Sequence, residues 1–175
     1  MFKGHAKIVR LIELAGEVSG RKKLQKMVYI AKQMQVDFEE RFEFHMFGPY
    51  SEELTLRVDE LCNLGLIDEQ METRGAIQLY RYTLNEAGHE FLRYHNINLG
   101  QGEPLIVRLN QENSRFLELV STILYFNNLP YDEMKHKIFT LKSKQRYTEE
   151  EIEKGLLFIE ELRGIAASGV AALKQ

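Results

Sequence analysis

Along the first third of the chain the apolar positions repeat every three to four residues. Ile8, Leu11, Ile12 and Ala15 share one face while Lys7, Arg10 and Glu13 lie elsewhere on the wheel, which predicts a helix from about His5 to a stop near Gly16. Leu24, Met27, Val28, Ile30 and Ala31 repeat the pattern in RKKLQKMVYIAKQM, a second helix capped by Ser19 or Gly20. The period then drops to two. In RFEFHMF, Phe42, Phe44 and Met46 alternate with Glu43 and His45, the mark of a half-buried strand, which Gly48 and Pro49 break. Ser51 is a good N-cap for a third helix, with Glu52 and Glu53 at the positive end of its dipole. Leu54, Val58, Leu61 and Cys62 form the inner face of that helix, and Gly65 sits where a glycine ends it.

Two extended runs in LIDEQMETRGAIQLYRYTL, hinged at Thr73 to Gly75, predict a hairpin. Thr83 to Glu86 has the spacing of a capping box for a fourth helix reaching about His95. Residues 96–112 carry two glycines, a proline and three asparagines and read as a linker. Helices follow at about 113–127 and 131–142, then a long one from Thr148. There Thr148 and Glu151 form a second capping box, and Ile152, Leu156, Ile159, Leu162 and Ile165 keep an apolar stripe. The fold class is therefore mainly α with a small antiparallel β-sheet (α+β): an N-terminal domain over 1–95, a linker over 96–112 and a helical extension over 113–175. The stripe needs a cover, from its own chain or from a second copy, so a dimer is expected.

Composition narrows the role. Hydrophobic residues at 44% and charged residues at 28% are ordinary globular usage and exclude wholesale disorder. A formal charge of -3 argues against a surface built as a whole for polyanions, so any nucleic-acid site must be local. The single cysteine, Cys62, excludes an internal disulfide and a thiolate zinc site, and on the inner face of the third helix it reads as packing. Lys7, Arg10 and Glu13 interrupt the N-terminal apolar residues, and no segment has the length of a membrane span; a cytoplasmic protein without membrane partners is expected.

Local charge is uneven. The third helix carries four acids, Glu52, Glu53, Asp59 and Glu60, against one base, Arg57, and carboxylates brought to phosphate meet repulsion instead of releasing counterions. The second helix holds Arg21, Lys22, Lys23, Lys26 and Lys32 with no acid. Arg21 to Lys23 lie at a helix N-terminus that favours an anion. These cations either dock a phosphate or acidic partner or form a solvated face whose stems cover apolar surface. MKHKIFTLKSKQR adds Lys135, Lys137, Lys142, Lys144 and Arg146, with Phe139 and Tyr147 interleaved, a composition that grips single-stranded nucleic acid or serves as core. Arg74 at the hairpin tip and Arg81 on its second strand complete the candidate anion or nucleic-acid contacts. Glu53, Leu56 and Asp59 are the candidate protein contacts.

Nothing in the chain points to catalysis. His5, His45, His89, His95 and His136 include no pair at the i, i+4 spacing of a helical metal site, and no phosphate loop, dinucleotide fingerprint or nucleophile elbow occurs. No catalytic residue, metal, cofactor or small-molecule substrate is expected. Tyr50 and His45 flank the Gly-Pro turn and with Tyr29 either line a pocket or pack beneath the turn, the second being the plainer reading.

The segments KKLQKMVYIAKQ and FGPYSEEL followed by LGLID are similar to the start of the Panacea (SocA-like) antitoxin domain, over Lys23 to Ile67. Residues 1 to about 95 look like a winged helix. Over nearly its whole length, including MKHKIFTLKSKQRYTEEEIEKGLLFIEEL, the chain resembles the YwgA family of bacterial proteins. The resemblance implies a winged-helix-like binding fold without catalytic residues. The expected role is a non-enzymatic regulatory module that binds a protein or its own copy; a DNA-binding regulator using the basic second helix and hairpin, or an antitoxin-like adapter, is the alternative.

Overall fold

The computed structural model describes residues 2–174, with side chains through residue 168. Met1 and Gln175, the outer ends of the segments expected at 1–95 and 113–175, lie outside the described residues. Helix α1 (Lys3–Ala15) ends at Gly16, whose φ of 78° suits a glycine and leads into strand β1 (Glu17–Ser19). Helix α2 (Arg21–Gln33) starts after Gly20, not Ser19. The stretch expected as one strand is a tight hairpin, β2 (Glu43–His45) against β3 (Gly48–Tyr50). Helix α3 (Glu52–Asn63) is capped by Ser51, whose hydroxyl accepts from the Leu54 amide.

Strands β4 (Ile67–Arg74) and β5 (Ile77–Leu84) form the long hairpin, and β1 pairs with β5 to give an antiparallel sheet of order β1-β5-β4. Tyr82 is its fully buried anchor, facing Val18 across one ladder and Glu69 across the other. Helix α4 (Glu86–Tyr94) follows. Its cap is Asn85, accepting from the Gly88 amide, and not Thr83, which stays in β5 opposite Glu17.

Residues 96–112, expected as a linker, are largely helical. They contain helix α5 (Gly102–Asn110), with Leu105, Ile106 and Leu109 fully buried. Turn-forming residues dominate the composition of the segment, yet Leu105, Ile106 and Leu109 recur at helical spacing, and burial of that stripe outweighs local preference. Helices α6 (Ser114–Tyr125), α7 (Tyr131–Leu141) and α8 (Glu149–Lys174) complete the chain. Thr148 and Glu151 close the expected capping box reciprocally at 3.1 Å each.

One hydrophobic cluster runs from Ile8 in α1 through α2 and α6 to Leu162 in α8. The stripe of α8 is covered in cis: Ile152, Ile159 and Leu162 are buried against the chain's own α5 and α6. It therefore does not call for a second copy. The mainly α, α+β architecture stands as read.

Gly88 marks the tightest approach in this frame. A methyl group there would overlap the Leu66 carbonyl oxygen and meet the Leu84 side chain at 2.5 Å, whereas nothing lies within 4 Å of the corresponding position at Gly164 on α8. Gly88→Ala is expected to lower unfolding stability by about 2 kcal/mol or more through forced backbone displacement. Gly164→Ala should be neutral or stabilising by ~0.5–1 kcal/mol, since alanine favours helix. Urea unfolding of the two variants checks the contrast.

Candidate functional site

The most polar part of the interior lies where α2, α6, the β2–β3 turn and the end of α7 meet. The α2 sequence Lys-Leu-Gln-Lys places Leu24 in the core and Gln25 and Lys26 toward the turn. Gln25 acts like a piece of backbone: its Nε2 donates to the Ser51 carbonyl and its Oε1 accepts from the Ser51 amide, both at 2.9 Å. The same Nε2 also donates to Thr55 Oγ1 at 3.0 Å, and that hydroxyl lies 2.8 Å from Tyr50 OH. Lys26 Nζ donates to the Pro49 carbonyl at 2.7 Å. Lys142 Nζ, arriving after α7, donates to the Met46 carbonyl at 2.7 Å. Both ends of the turn, and the cap of α3 after it, are thus held by side chains from elsewhere in the sequence.

A carboxylate sits beneath this clamp. Glu118 of α6 is 1% exposed and faces Lys22 Nζ at 3.3 Å, Lys142 Nζ at 3.5 Å and Tyr147 OH at 3.2 Å. Lys26 is buried close enough to feel its charge. Three ammonium groups share one carboxylate. Desolvation exceeds what Glu118 returns, so the Lys26 ammonium is driven down to about 7, with Lys142 and Lys22 pushing in the same direction. Lys142 is lowered for the same principal reason, its burial, although Glu118 opposes it. Tyr147 and Tyr29 are raised by burial.

Beside the clamp, a cavity of about 180 Å³ opens between α2, α3 and the turn. Leu24, Leu54, Val58 and Phe47 give it apolar walls, with Lys22, Lys26 and Tyr50 among the polar lining. Lys22 Nζ stands 4.8 Å from the Phe47 ring centroid.

The anion candidates are mostly engaged elsewhere. Arg21 is shared by Asp59, Glu69 at 3.0 Å and Tyr82 OH at 2.5 Å. Lys23 donates to the Asn110 carbonyl at 2.7 Å, and Lys22 pairs with Glu118. Lys26 and Lys142, expected as nucleic-acid contacts, are 1% and 2% exposed and bonded to carbonyls, so neither is presented on the surface to a nucleic-acid backbone. Arg81 pairs with Glu72 at 2.9 Å, Arg74 with Glu72 at 3.3 Å, and Lys135 with Glu149 at 2.8 Å. Lys137, Lys144 and Arg146 are exposed. The two basic stretches do meet, but around Glu118 inside the protein instead of on a surface.

Helix α3 keeps its acidic face. Glu53 pairs with exposed Arg41, Asp59 with Arg21, and Glu60 with His5, while Leu56 points outward at 61% exposure. Met46, expected on the buried side of a strand, is instead 77% exposed at the turn tip, because the hairpin reverses there. His45 stacks on Tyr50 and Tyr29 packs edge-on against Phe42, so the aromatic residues near the turn pack as much as they line. Cys62 is half-buried with its thiol raised to about 11 by burial, which suits packing and not nucleophilic attack. Among the described residues, no three His, Cys, Asp or Glu side chains are placed to hold a metal ion. None of the described helices is long and apolar enough to cross a membrane.

The Gln25 and Lys26 partners were invisible in the sequence because they lie more than twenty residues away. The adjacency of KLQK and GPYS in the family resemblance was the one available signal. A relative from Bacillus subtilis (strain 168), "Uncharacterized protein YwgA", is 52% identical over 165 residues, covering 94% of this chain and 99% of the relative. The chain belongs to the YwgA family. No family model matches it. The YwgA likeness spans the clamp, the cavity and the helices that bury Glu118, so the site belongs to the part of the chain the two proteins share.

Lys26 yields a pH signature. Its native pKa is depressed from 10.5 to about 7, so between those values the unfolded chain binds a proton that the native side chain lacks, and stability rises with pH through that window. Below about pH 7 the full penalty is present. Urea midpoints for the native protein should therefore climb from about pH 7 to 9.5 more steeply than those of Lys26→Met. Parallel profiles would contradict the buried-ammonium assignment.

Proposed function

We propose that the protein is a non-enzymatic, winged-helix-like binding module that works as a bacterial regulatory protein through contact with another protein. The observation that carries this reading is the inward use of the α2 cations: Arg21, Lys22, Lys23 and Lys26 all bond within the chain, leaving an acidic α3 with Leu56 outward. A helix of that sign repels phosphate but suits a partner with basic and apolar residues. The β1-β5-β4 sheet with its long hairpin after α3 supports the winged-helix comparison. The similarity of Lys23 to Ile67 to the Panacea domain adds an antitoxin-like adapter role to the reading, in the cytoplasm. Glu53, Leu56 and Asp59 are its proposed contacts; Glu53 and Asp59 offer carboxylates already oriented by Arg41 and Arg21.

The test is co-purification from the native host with wild type and Leu56→Asp. The reading expects a stoichiometric protein partner with wild type, its loss with Leu56→Asp, and an unfolding free energy in urea unchanged within about 0.5 kcal/mol, because Leu56 is a surface position. Co-eluting nucleic acid, and a gel shift of duplex DNA that weakens steeply with salt, would replace this reading with the DNA-binding one.

A further inference from the structure

We propose that the cavity between α2, α3 and the β2–β3 turn is a binding site for a small apolar carboxylate, held through its charge by Lys22 and Lys26 and enclosed by Leu24, Leu54, Val58 and Phe47. Three observations converge on it. The cavity, about 180 Å³, is large enough for a body of roughly six to eight heavy atoms, given that one of about 150 Å³ takes benzene. Its walls are mainly hydrocarbon, which suits an aliphatic or aromatic group and not a sugar or a nucleotide. Its two lysines belong to a cluster in which Lys22 and Lys142 meet the single carboxylate of Glu118 at 3.3 and 3.5 Å, with Lys26 beside them on the Pro49 carbonyl.

That imbalance is the chemical argument. With Lys22 and Lys142 charged and Lys26 held near half-protonation at neutral pH, the single carboxylate leaves the cluster short of negative charge, and an entering carboxylate supplies it and favours the protonated Lys26. Lys26 and Lys142 already spend hydrogen bonds on Pro49 and Met46, but each ammonium has three donors. Lys22 is half-exposed at the mouth beside Phe47, placed to meet the anion on entry. A neutral ligand of the same shape gains only the hydrocarbon contacts. The site faces the inner side of α3, whereas Leu56 lies on its outward side, so this inference and the proposed partner contact succeed or fail separately.

Calorimetric titration of the full chain with 4-methylpentanoate and its uncharged isostere 4-methylpentanamide tests the site. The acid should bind at least about tenfold more tightly than the amide, and Lys22→Met, at a half-exposed position and with Glu118 still meeting Lys142 and Tyr147, should remove that preference while Lys135→Met does not. Equal binding of acid and amide, no binding of either, or full preference retained in Lys22→Met overturns the proposal. A short peptide ending in leucine, with free or amidated C-terminus, separates the sources of the same chemistry. Preference for the free-ended peptide over 4-methylpentanoate assigns the site to a polypeptide chain end, and the reverse assigns it to a free acid.

Discussion

The two hydrogen bonds between the Gln25 amide and the Ser51 backbone are the constraint from which the arrangement of this protein follows. Ser51 is fully buried, so its N–H and C=O must be paired; the C=O accepts the Thr55 amide of α3 at 3.2 Å, but no strand or helix provides for the N–H. Gln25 supplies the N–H with its acceptor from α2 and adds a second donor to the C=O. Once Ser51 is fixed, its hydroxyl caps α3, Thr55 and Tyr50 join the same network, and the hairpin before it is held across its tip by Lys26 and Lys142. Helix α3 is thus tied to α2 by hydrogen bonds, with Leu24, Leu54 and Val58 buried beside them.

The same clamp decides where charge goes. A basic helix normally advertises itself to phosphate, but here Lys26 is needed at Pro49 and Lys22 at Glu118, and Arg21 is divided between Asp59 and Glu69. Burying ammonium groups is costly, and a single carboxylate offsets only part of that cost, which leaves a strained electrostatic centre next to a small apolar cavity. Such a centre is expensive for a protein whose only need is a rigid turn, since a hydrophobic packing of equal volume is often at least as stable. Its presence beside a cavity is what gives the ligand inference its physical basis.

Much of the fold was legible from periodicity. The apolar spacing of α1, α2 and α3, the Ser51 cap and the Thr148–Glu151 box all appear in the structure where the sequence places them. The failures share a cause. Helix α5 was hidden because two glycines and a proline at its start outweigh Leu105, Ile106 and Leu109 when only local preference is read. The cap of α4 fell to Asn85 because Thr83 is committed to the ladder with Glu17. For the site, the sequence showed which residues were cationic but not that Lys26 and Lys142, more than a hundred positions apart, point at opposite ends of one turn. Charge counts along the chain cannot separate a basic surface from a basic interior. That distinction rests on Glu118, the one acid of helix α6.

The most direct measurement is equilibrium unfolding in urea of Gln25→Leu, with amide hydrogen exchange followed at Ser51 and Leu54. If the Gln25 amide ties α3 to α2, leaving the Ser51 N–H buried without a partner should lower stability by about 1–3 kcal/mol and abolish protection at both amides. A loss below about 0.5 kcal/mol with protection intact would show that packing alone holds the turn, and the account would be wrong.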